Sequence, residues 1–176
     1  MATQRQICEI CERVLALPSG SVVTNTDKLR QAEILSSNQA GPTQATPQEA
    51  ALILLAAIVG TPMRHQPTIA QAYADMRESG WGPRLGDRLA AILAGTSADH
   101  VVSLSVDLSA PGAVLLIAAG PYGLPERFSS TEAWPRPAFD RTATIRGELL
   151  RRIKHEIETA PEVRKGRRKT ADKWKT

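Results

Sequence analysis

A helix start followed by an uninterrupted apolar run is the feature that most constrains the fold of this chain. Residues 46–49, Thr-Pro-Gln-Glu, form a capping-box pattern with proline at the first helical position. Residues 50–59 are all apolar, and Gly60 then ends the helix. A surface helix keeps one polar face, so this pattern predicts a helix over 47–59 that is buried on every side. It belongs between two layers of a core or in a subunit interface.

Two more helices are predicted before this one. Residues 3–15 place apolar side chains at offsets of 3, 4, 7 and 8, which is one face of a helix, and Pro18 follows. A second helix is predicted over 21–32, with Val22 and Leu29 on its inner side. Residues 36–45 are polar, uncharged and rich in turn formers, which predicts a loop or a wing.

The pattern changes after residue 100. Residues 102–108 alternate strictly between apolar and polar, and residues 113–119 are continuously apolar, so the two runs predict a hairpin around Pro111 and Gly112. The remaining predictions are helices over 68–79 and 86–93, an irregular proline-rich connection over 120–140, and an amphipathic helix over 141–158 with Ile145, Leu149, Ile153 and Ile157 on its apolar stripe.

These elements predict an α+β fold that is mainly α. We expect a helix-turn-helix module over 1–60, and a helical region plus one β-hairpin over 61–140 that serves interaction or oligomerisation. A basic amphipathic helix with a flexible arm is expected over 141–176. With 176 residues and 42% hydrophobic content, the chain is long enough to bury a proper core.

The positive charge of the chain is concentrated at its C-terminal end. Residues 141–176 hold 12 Lys or Arg and 5 Asp or Glu, whereas the overall net charge is only +4. A basic end of this kind typically meets a polyanion such as nucleic acid, because neutralised phosphates release their counterions. A solvated tail is the alternative interpretation.

Location is inferred from what the sequence lacks. No apolar leader opens the chain, and the longest apolar run, residues 50–59, is shorter than the roughly 20 residues that cross a bilayer. We therefore expect a cytoplasmic protein without a membrane partner.

A family resemblance is carried by residues 18–35, PSGSVVTNTDKLRQAEIL. This segment resembles the recognition-helix end of winged helix-turn-helix DNA-binding regulators, in which a small-residue turn precedes a helix that closes with L-R-x-A-G-L-I. Glu33 stands where the family usually has the glycine that ends the helix with positive φ. The match covers about residues 18–60. More loosely, residues 46–51, 86–93 and the hairpin resemble prophage-derived regulators of bacteria, including those that govern gene-transfer particles.

The resemblance implies that residues 21–28 enter the major groove with the helix N-terminus facing phosphate. Short polar side chains suit base edges, and Asn25 has the chemistry of a bidentate contact to adenine if it points outward. The candidate DNA-binding residues are Ser21, Thr24, Asn25, Lys28 and Arg30 in the helix, and Arg164, Lys165, Arg167, Arg168 and Lys169 in the arm. An ordinary helical hairpin in a globular core is the other interpretation of the first set.

Metal and catalytic signatures are weak. Cys8 and Cys11 form a lone C-x-x-C, whereas a structural zinc site needs four ligands. The three histidines are scattered, and we find no phosphate loop or nucleophile elbow. We expect no metal, no cofactor, no catalytic residues and no enzymatic activity.

The sequence therefore predicts a sequence-specific transcription regulator of phage or prophage type. Its expected partners are double-stranded DNA and a second copy of the chain, as a homodimer or higher homo-oligomer, because one recognition helix reads only a short half-site. One alternative is a DNA-packaging recognition subunit of the small-terminase kind. The other is a protein-interaction adaptor that docks on RNA polymerase through the hairpin and residues 121–137.

Overall fold

A computed structural model of the chain describes residues 2–36, 44–60, 68–95, 100–109, 111–119, 122–130 and 141–162. About half of the described residues are helical, and the others include a five-stranded antiparallel sheet, so the α+β class is confirmed. None of the helices within these ranges has the length and apolar character needed to cross a bilayer.

Six helices are found in the described ranges, and the bounds of α1, α2, α3 and α5 lie within one residue of the prediction. They are α1 (Gln4–Val14), α2 (Ser21–Gln31), α3 (Pro47–Val59), α4 (Thr68–Asp75), α5 (Leu85–Leu93) and α6 (Gly147–Thr159). Thr46 accepts a hydrogen bond from the Glu49 N–H while the Glu49 carboxylate accepts one from the Thr46 N–H, so the predicted capping box is present.

Five strands form one sheet with the order β1-β4-β3-β2-β5. They are β1 (Arg77–Glu78), β2 (Val101–Asp107), β3 (Gly112–Ala119), β4 (Tyr122–Ser129) and β5 (Thr142–Arg146). The register places Leu104 opposite both Leu115 and Ile145, and all three are buried on the face that we call the inner face. The outer face carries Ser105, Val114, Arg127 and Thr144, which are exposed or half-buried.

Helix α3 is the centre of the helical layer. It packs against α1, α2, α4 and α5, and Ile53, Leu54, Leu55 and Ala56 are fully buried. This confirms that the helix lies inside a core. Most of its apolar surface is covered by these helices, and Ile58 in its last turn is half-buried.

One hydrophobic cluster joins the three regions distinguished in the sequence. Its members come from α1 to α3, from α4, α5 and the sheet, and from α6. Helix α6 runs along α1, where Arg13 forms an ion pair with Glu156 and lowers the pKa of that carboxyl. Helix α5 is tied to β4 by two parallel hydrogen bonds from Arg88 to Glu126, at 2.8 and 2.7 Å.

The prediction of an irregular connection over 120–140 is wrong for residues 122–129. These residues form β4, which pairs along its whole length with β3 and at its end with β1. Among the described residues, β1 pairs with Phe128 and Ser129 and the Ser79 N–H donates to the Arg127 carbonyl oxygen, so residues 122–126 form an uncovered edge on that side. Pro125 lies in this uncovered part, where a missing N–H is tolerated. Residues 131–140 lie outside the described residues.

The prediction of one helix over 141–158 is wrong at its start. The prediction of a single two-stranded hairpin is also incomplete, because the sheet has five strands. Residues 142–146 form β5, and Ile145 points to the inner face of the sheet instead of lying on a helical stripe. Three of the four residues in Thr-Ala-Thr-Ile are β-branched, which suits a strand. Helix α6 begins only at Gly147, with Leu150, Ile153 and Ile157 buried.

Helix α4 is shorter than the predicted 68–79. It ends at Asp75, after which Arg77 and Glu78 join the sheet beside β4. The chain then turns at Ser79 and Gly80, which both have positive φ. The turn returns it to α5, which packs against α3.

Candidate nucleic-acid interface

Helix α2 carries five of the candidate DNA-binding residues, and the structure divides them. Thr24 is exposed, and Ser21, Lys28 and Arg30 are half-buried. Asn25 is buried. The helix ends before Glu33, whose φ of +59° lies in the left-handed region that usually favours glycine at the end of a helix.

Asn25 must be removed from the set of base contacts. Its side chain is 5% exposed, and its amide donates to the carbonyl oxygens of Ala56 and Gly60 at 3.3 and 3.4 Å. Both carbonyls lie at the C-terminal end of α3, where the Ala56 carbonyl also accepts from the Gly60 N–H at 3.1 Å. Asn25 therefore points inward and joins α2 to α3, and the condition for adenine contact is not met.

Replacing Asn25 with alanine should destabilise the fold by about 1–2 kcal/mol, because the amide donor of a buried hydrogen bond is lost. The matched control is Thr24→Ala, one residue away on the exposed surface, which should change stability by less than about 0.5 kcal/mol. Urea unfolding followed by circular dichroism measures both. Equal stability of the two variants would contradict the inward role of Asn25.

The N-terminus of α2 already holds a negative charge. Glu12 of α1 is 8% exposed, and its carboxylate accepts hydrogen bonds from the N–H groups of Gly20, Val22 and Val23 at 3.0, 2.8 and 3.4 Å. A carboxylate there satisfies free N–H groups and the positive end of the helix dipole. The expectation that this end faces phosphate is therefore wrong, because Glu12 occupies the donors that a phosphate would use.

The C-terminal half of α2 is tied to the start of α1 by a polar network. The Arg30 guanidinium donates to the Gln4 side-chain oxygen at 2.9 Å and to Asp27 at 2.5 Å. Gln4 is buried, and its amide donates to Glu49 at 2.9 Å. The Lys28 ammonium donates to the Gln31 side-chain oxygen at 3.3 Å and forms no ion pair among the described residues. Lys28 is thus the cation of this helix that is most available to a ligand.

The end of α6 reaches the same turn of α1. The side-chain amide of Gln6, which follows Gln4 by two residues, donates to the carbonyl oxygen of Pro161 at 2.8 Å. The chain therefore enters its basic segment beside the N-terminal turn of α1, and α2 reaches that turn through Arg30. The arm residues Arg164, Lys165, Arg167, Arg168 and Lys169 lie outside the described residues, as does most of the predicted wing, 37–43.

A second group of cations lies on the sheet and was missed by the sequence analysis. Arg127 and Arg146 are exposed on the outer face, and Arg141 is exposed just before β5. Among the described residues, none of the three forms an ion pair. Alternation of side chains identifies these positions only once β4 and β5 are recognised as strands.

The cysteines lie in the core between α1 and α2. Cys8 and Cys11 are both free and buried, and burial raises the pKa of each thiol. The Cys8 sulfur lies 3.2 Å from the hydroxyl of Thr26. Within the described ranges, no three His, Cys, Asp or Glu side chains are grouped as a metal site.

A cleft of about 230 Å³ lies between α3 and the α4–α5 pair, and several of its polar side chains are paired with each other or with neighbours. Asp75 accepts from Gln71 at 2.9 Å and from Arg84 at 3.1 Å. Burial alone would raise the pKa of Glu49, but hydrogen bonds from Ser36, Thr46 and Gln4 more than offset it, so this pKa is lowered. These carboxylates stabilise the walls of the cleft.

No family model matches the chain, and neither a curated protein nor a solved structure is significantly similar to it.

Proposed function

We propose that this protein binds double-stranded DNA and acts as a sequence-specific transcription regulator of phage or prophage type, without enzymatic activity. The observation that carries the proposal is that α1 contacts both α2 and the residues that lead into the basic segment. Gln4 holds Arg30 of α2, and Gln6 holds Pro161 at the start of the basic segment. Arg30, the last candidate residue of α2, and Pro161, which precedes the basic segment, are therefore held by the same turn of α1.

The reach of the basic segment supports a joint interface. The 14 residues after Glu162 include 7 Lys or Arg and 1 Asp, and an extended chain of this length spans at most about 50 Å. Helix α2 has 11 residues, which corresponds to about 16 Å. The segment is long enough to contact phosphates on either side of a groove that α2 occupies.

The division of roles differs from that expected of a typical recognition helix. Glu12 blocks the N-terminus of α2 and Asn25 faces α3, so Ser21, Thr24 and Lys28 remain for the groove. The affinity then rests on the cations of the basic segment, because contacts to phosphates position a protein on DNA without reading its bases. A homodimer is part of the proposal, because three side chains specify only a short half-site.

Deleting residues 163–176 should weaken DNA binding about ten-fold or more and flatten the salt dependence. Each phosphate contact contributes about 0.9 to the slope of log K against log salt, so the loss of several contacts should change the slope by several units. Fluorescence anisotropy on a labelled duplex, titrated between about 50 and 200 mM salt, measures this. The duplex is chosen by selecting genomic fragments with the full chain.

A length-matched variant separates charge from chain length. It keeps residues 163–176 but carries glutamine at positions 164, 165, 167, 168 and 169, and it should behave like the deletion. In the same assay, Lys28→Ala should weaken binding to the selected duplex more than binding to a random duplex. Unchanged affinity and slope on deletion, or no binding by the full chain, would refute the proposal.

An adaptor that docks on another protein is the second candidate function. It is favoured by an apolar groove beside the free edge of β5, in a region that the DNA proposal does not use.

A further inference from the structure

Strand β5 is an edge of the sheet with free hydrogen-bonding groups. Within the part of the chain that the structure describes, it pairs only with β2, at the end of the order β1-β4-β3-β2-β5. The Leu108 N–H donates to the Arg141 carbonyl oxygen at 2.6 Å, which makes this pair a hydrogen-bonded one. The alternation of an antiparallel ladder then turns the N–H and C=O groups of Thr142 and Thr144 away from β2.

A side-chain contact agrees with this alternation. The hydroxyls of Ser105 and Thr144 lie 3.0 Å apart, as expected where opposite residues of a non-hydrogen-bonded pair approach closely. Among the described residues, no hydrogen bond is made by the outward backbone groups of Thr142 and Thr144. The edge therefore offers a row of donors and acceptors to an added strand.

An apolar groove of about 370 Å³ lies beside this edge. It is formed by the end of α1 and the residues that follow it, the last turn of α3, β5 and the start of α6. Its apolar lining includes Val14, Leu17, Ile58, Ile145 and Leu149. A strand laid along β5 would direct alternate side chains into this groove, since successive residues of a strand point to opposite faces.

The charges at the ends of β5 favour an acidic partner. Arg141 precedes the strand and Arg146 ends it, both are exposed, and neither has an ionic partner among the described residues. The lining of the groove contains no charged side chain. Cations at both ends of an apolar site complement a segment that is apolar in the middle and acidic at its ends.

We propose that the β5 edge and its groove bind an extended segment of another protein, with apolar side chains at alternate positions and acidic residues at its ends. The backbone of the segment pairs with Thr142 and Thr144, and its apolar side chains fill the groove. This site lies at the C-terminal end of α1, whereas the basic segment begins at the N-terminal end. The peptide site and the proposed DNA interface can be occupied together, and the absence of binding at one would not refute binding at the other.

The test uses the full chain and an array of labelled decapeptides. Each peptide has three apolar residues alternating with threonine and two aspartates at each end, and the apolar residue is Val, Leu, Ile or Phe. Thr144→Pro removes one outward N–H donor without touching the β2 ladder, and Thr144→Val is the matched control that keeps it. Both variants lose the hydroxyl contact to Ser105, so their comparison isolates the backbone donor.

At least one peptide of the array should bind, and Thr144→Pro should bind it about ten-fold more weakly than Thr144→Val. In the double variant Arg141→Glu and Arg146→Glu, preference should switch to peptides with lysines in place of the aspartates, which tests the site even if the proline variant fails to fold. Deleting residues 163–176 should leave peptide binding unchanged.

Three results would overturn the proposal. The first is no binding by any peptide of the array, and the second is equal binding by the proline and valine variants. The third is self-association that Thr144→Pro abolishes while no peptide binds, which would assign the edge to a second copy of the chain. Sedimentation velocity on the same samples distinguishes the third result.

Discussion

Replacing Gly147 with alanine should remove most of the folding free energy, with an expected loss of more than about 4 kcal/mol. A Cβ atom on this residue would lie 1.8 Å from the carbonyl oxygen of Val101 and 3.0 Å from that of Val102. Both obstacles are backbone atoms of β2, next to the register shift between Val101 and Ser103. They cannot move aside as a side chain would, so α6 must separate from the sheet.

The matched control for this substitution is His155→Ala, on the exposed side of the same helix. It should alter stability by less than about 0.5 kcal/mol. Thermal and urea unfolding, followed by far-ultraviolet circular dichroism, compare the two variants. A Gly147→Ala protein within about 1 kcal/mol of the parent would contradict the close approach of α6 to β2.

Replacing Glu12 with alanine should cost about 2–4 kcal/mol. The substitution leaves N–H groups in the first turn of α2 without their acceptor in a buried setting, and it removes a charge that the helix dipole favours. Glu12→Gln keeps one acceptor oxygen and should lie between the parent and the alanine variant. Urea unfolding measures the series.

Glu9→Ala is the matched control, because Glu9 lies on the exposed side of α1 and pairs only with Arg5 among the described residues. An exposed pair of this kind contributes little to stability. If the Glu12 and Glu9 variants unfold at the same urea concentration, the capping role of Glu12 is wrong. Enhanced phosphate binding by Glu12→Ala would further indicate that the carboxylate occupies an anion site.

The elements that the sequence predicted well are those fixed by neighbouring residues. Helix α3 has the predicted bounds because Thr46, Pro47 and Glu49 set its start and Gly60 its end. Strand β2 was predicted from local alternation and strand β3 from a continuous apolar run, on either side of a tight turn. Strand β4 was missed because it forms by pairing with β3 and no local pattern marks it. Pro125 also made this segment resemble an irregular connection. The spacing of four between Ile145 and Leu149 imitated a helix across the boundary of β5 and α6.

The candidate site was less predictable than the fold, but one signal was present. Val22, Asn25, Thr26 and Leu29 stand at offsets of 0, 3, 4 and 7, which is a single helix face, and all four are buried. The helical periodicity that predicted a buried position for Val22 and Leu29 therefore predicted a buried position for Asn25 as well. The capping by Glu12 carries no such signal, because it depends on how the turn between α1 and α2 folds back.

The central position of α3 has a consequence for the order of events during synthesis. Its apolar surface is covered partly by α1 and α2, which precede it, and partly by α4 and α5, which end at Leu93. At about 5–20 residues per second, a ribosome needs roughly 2–7 s to proceed from the end of α3 to the end of α5. During that interval the nascent chain exposes one of its most apolar segments, which is the kind of surface that chaperones recognise.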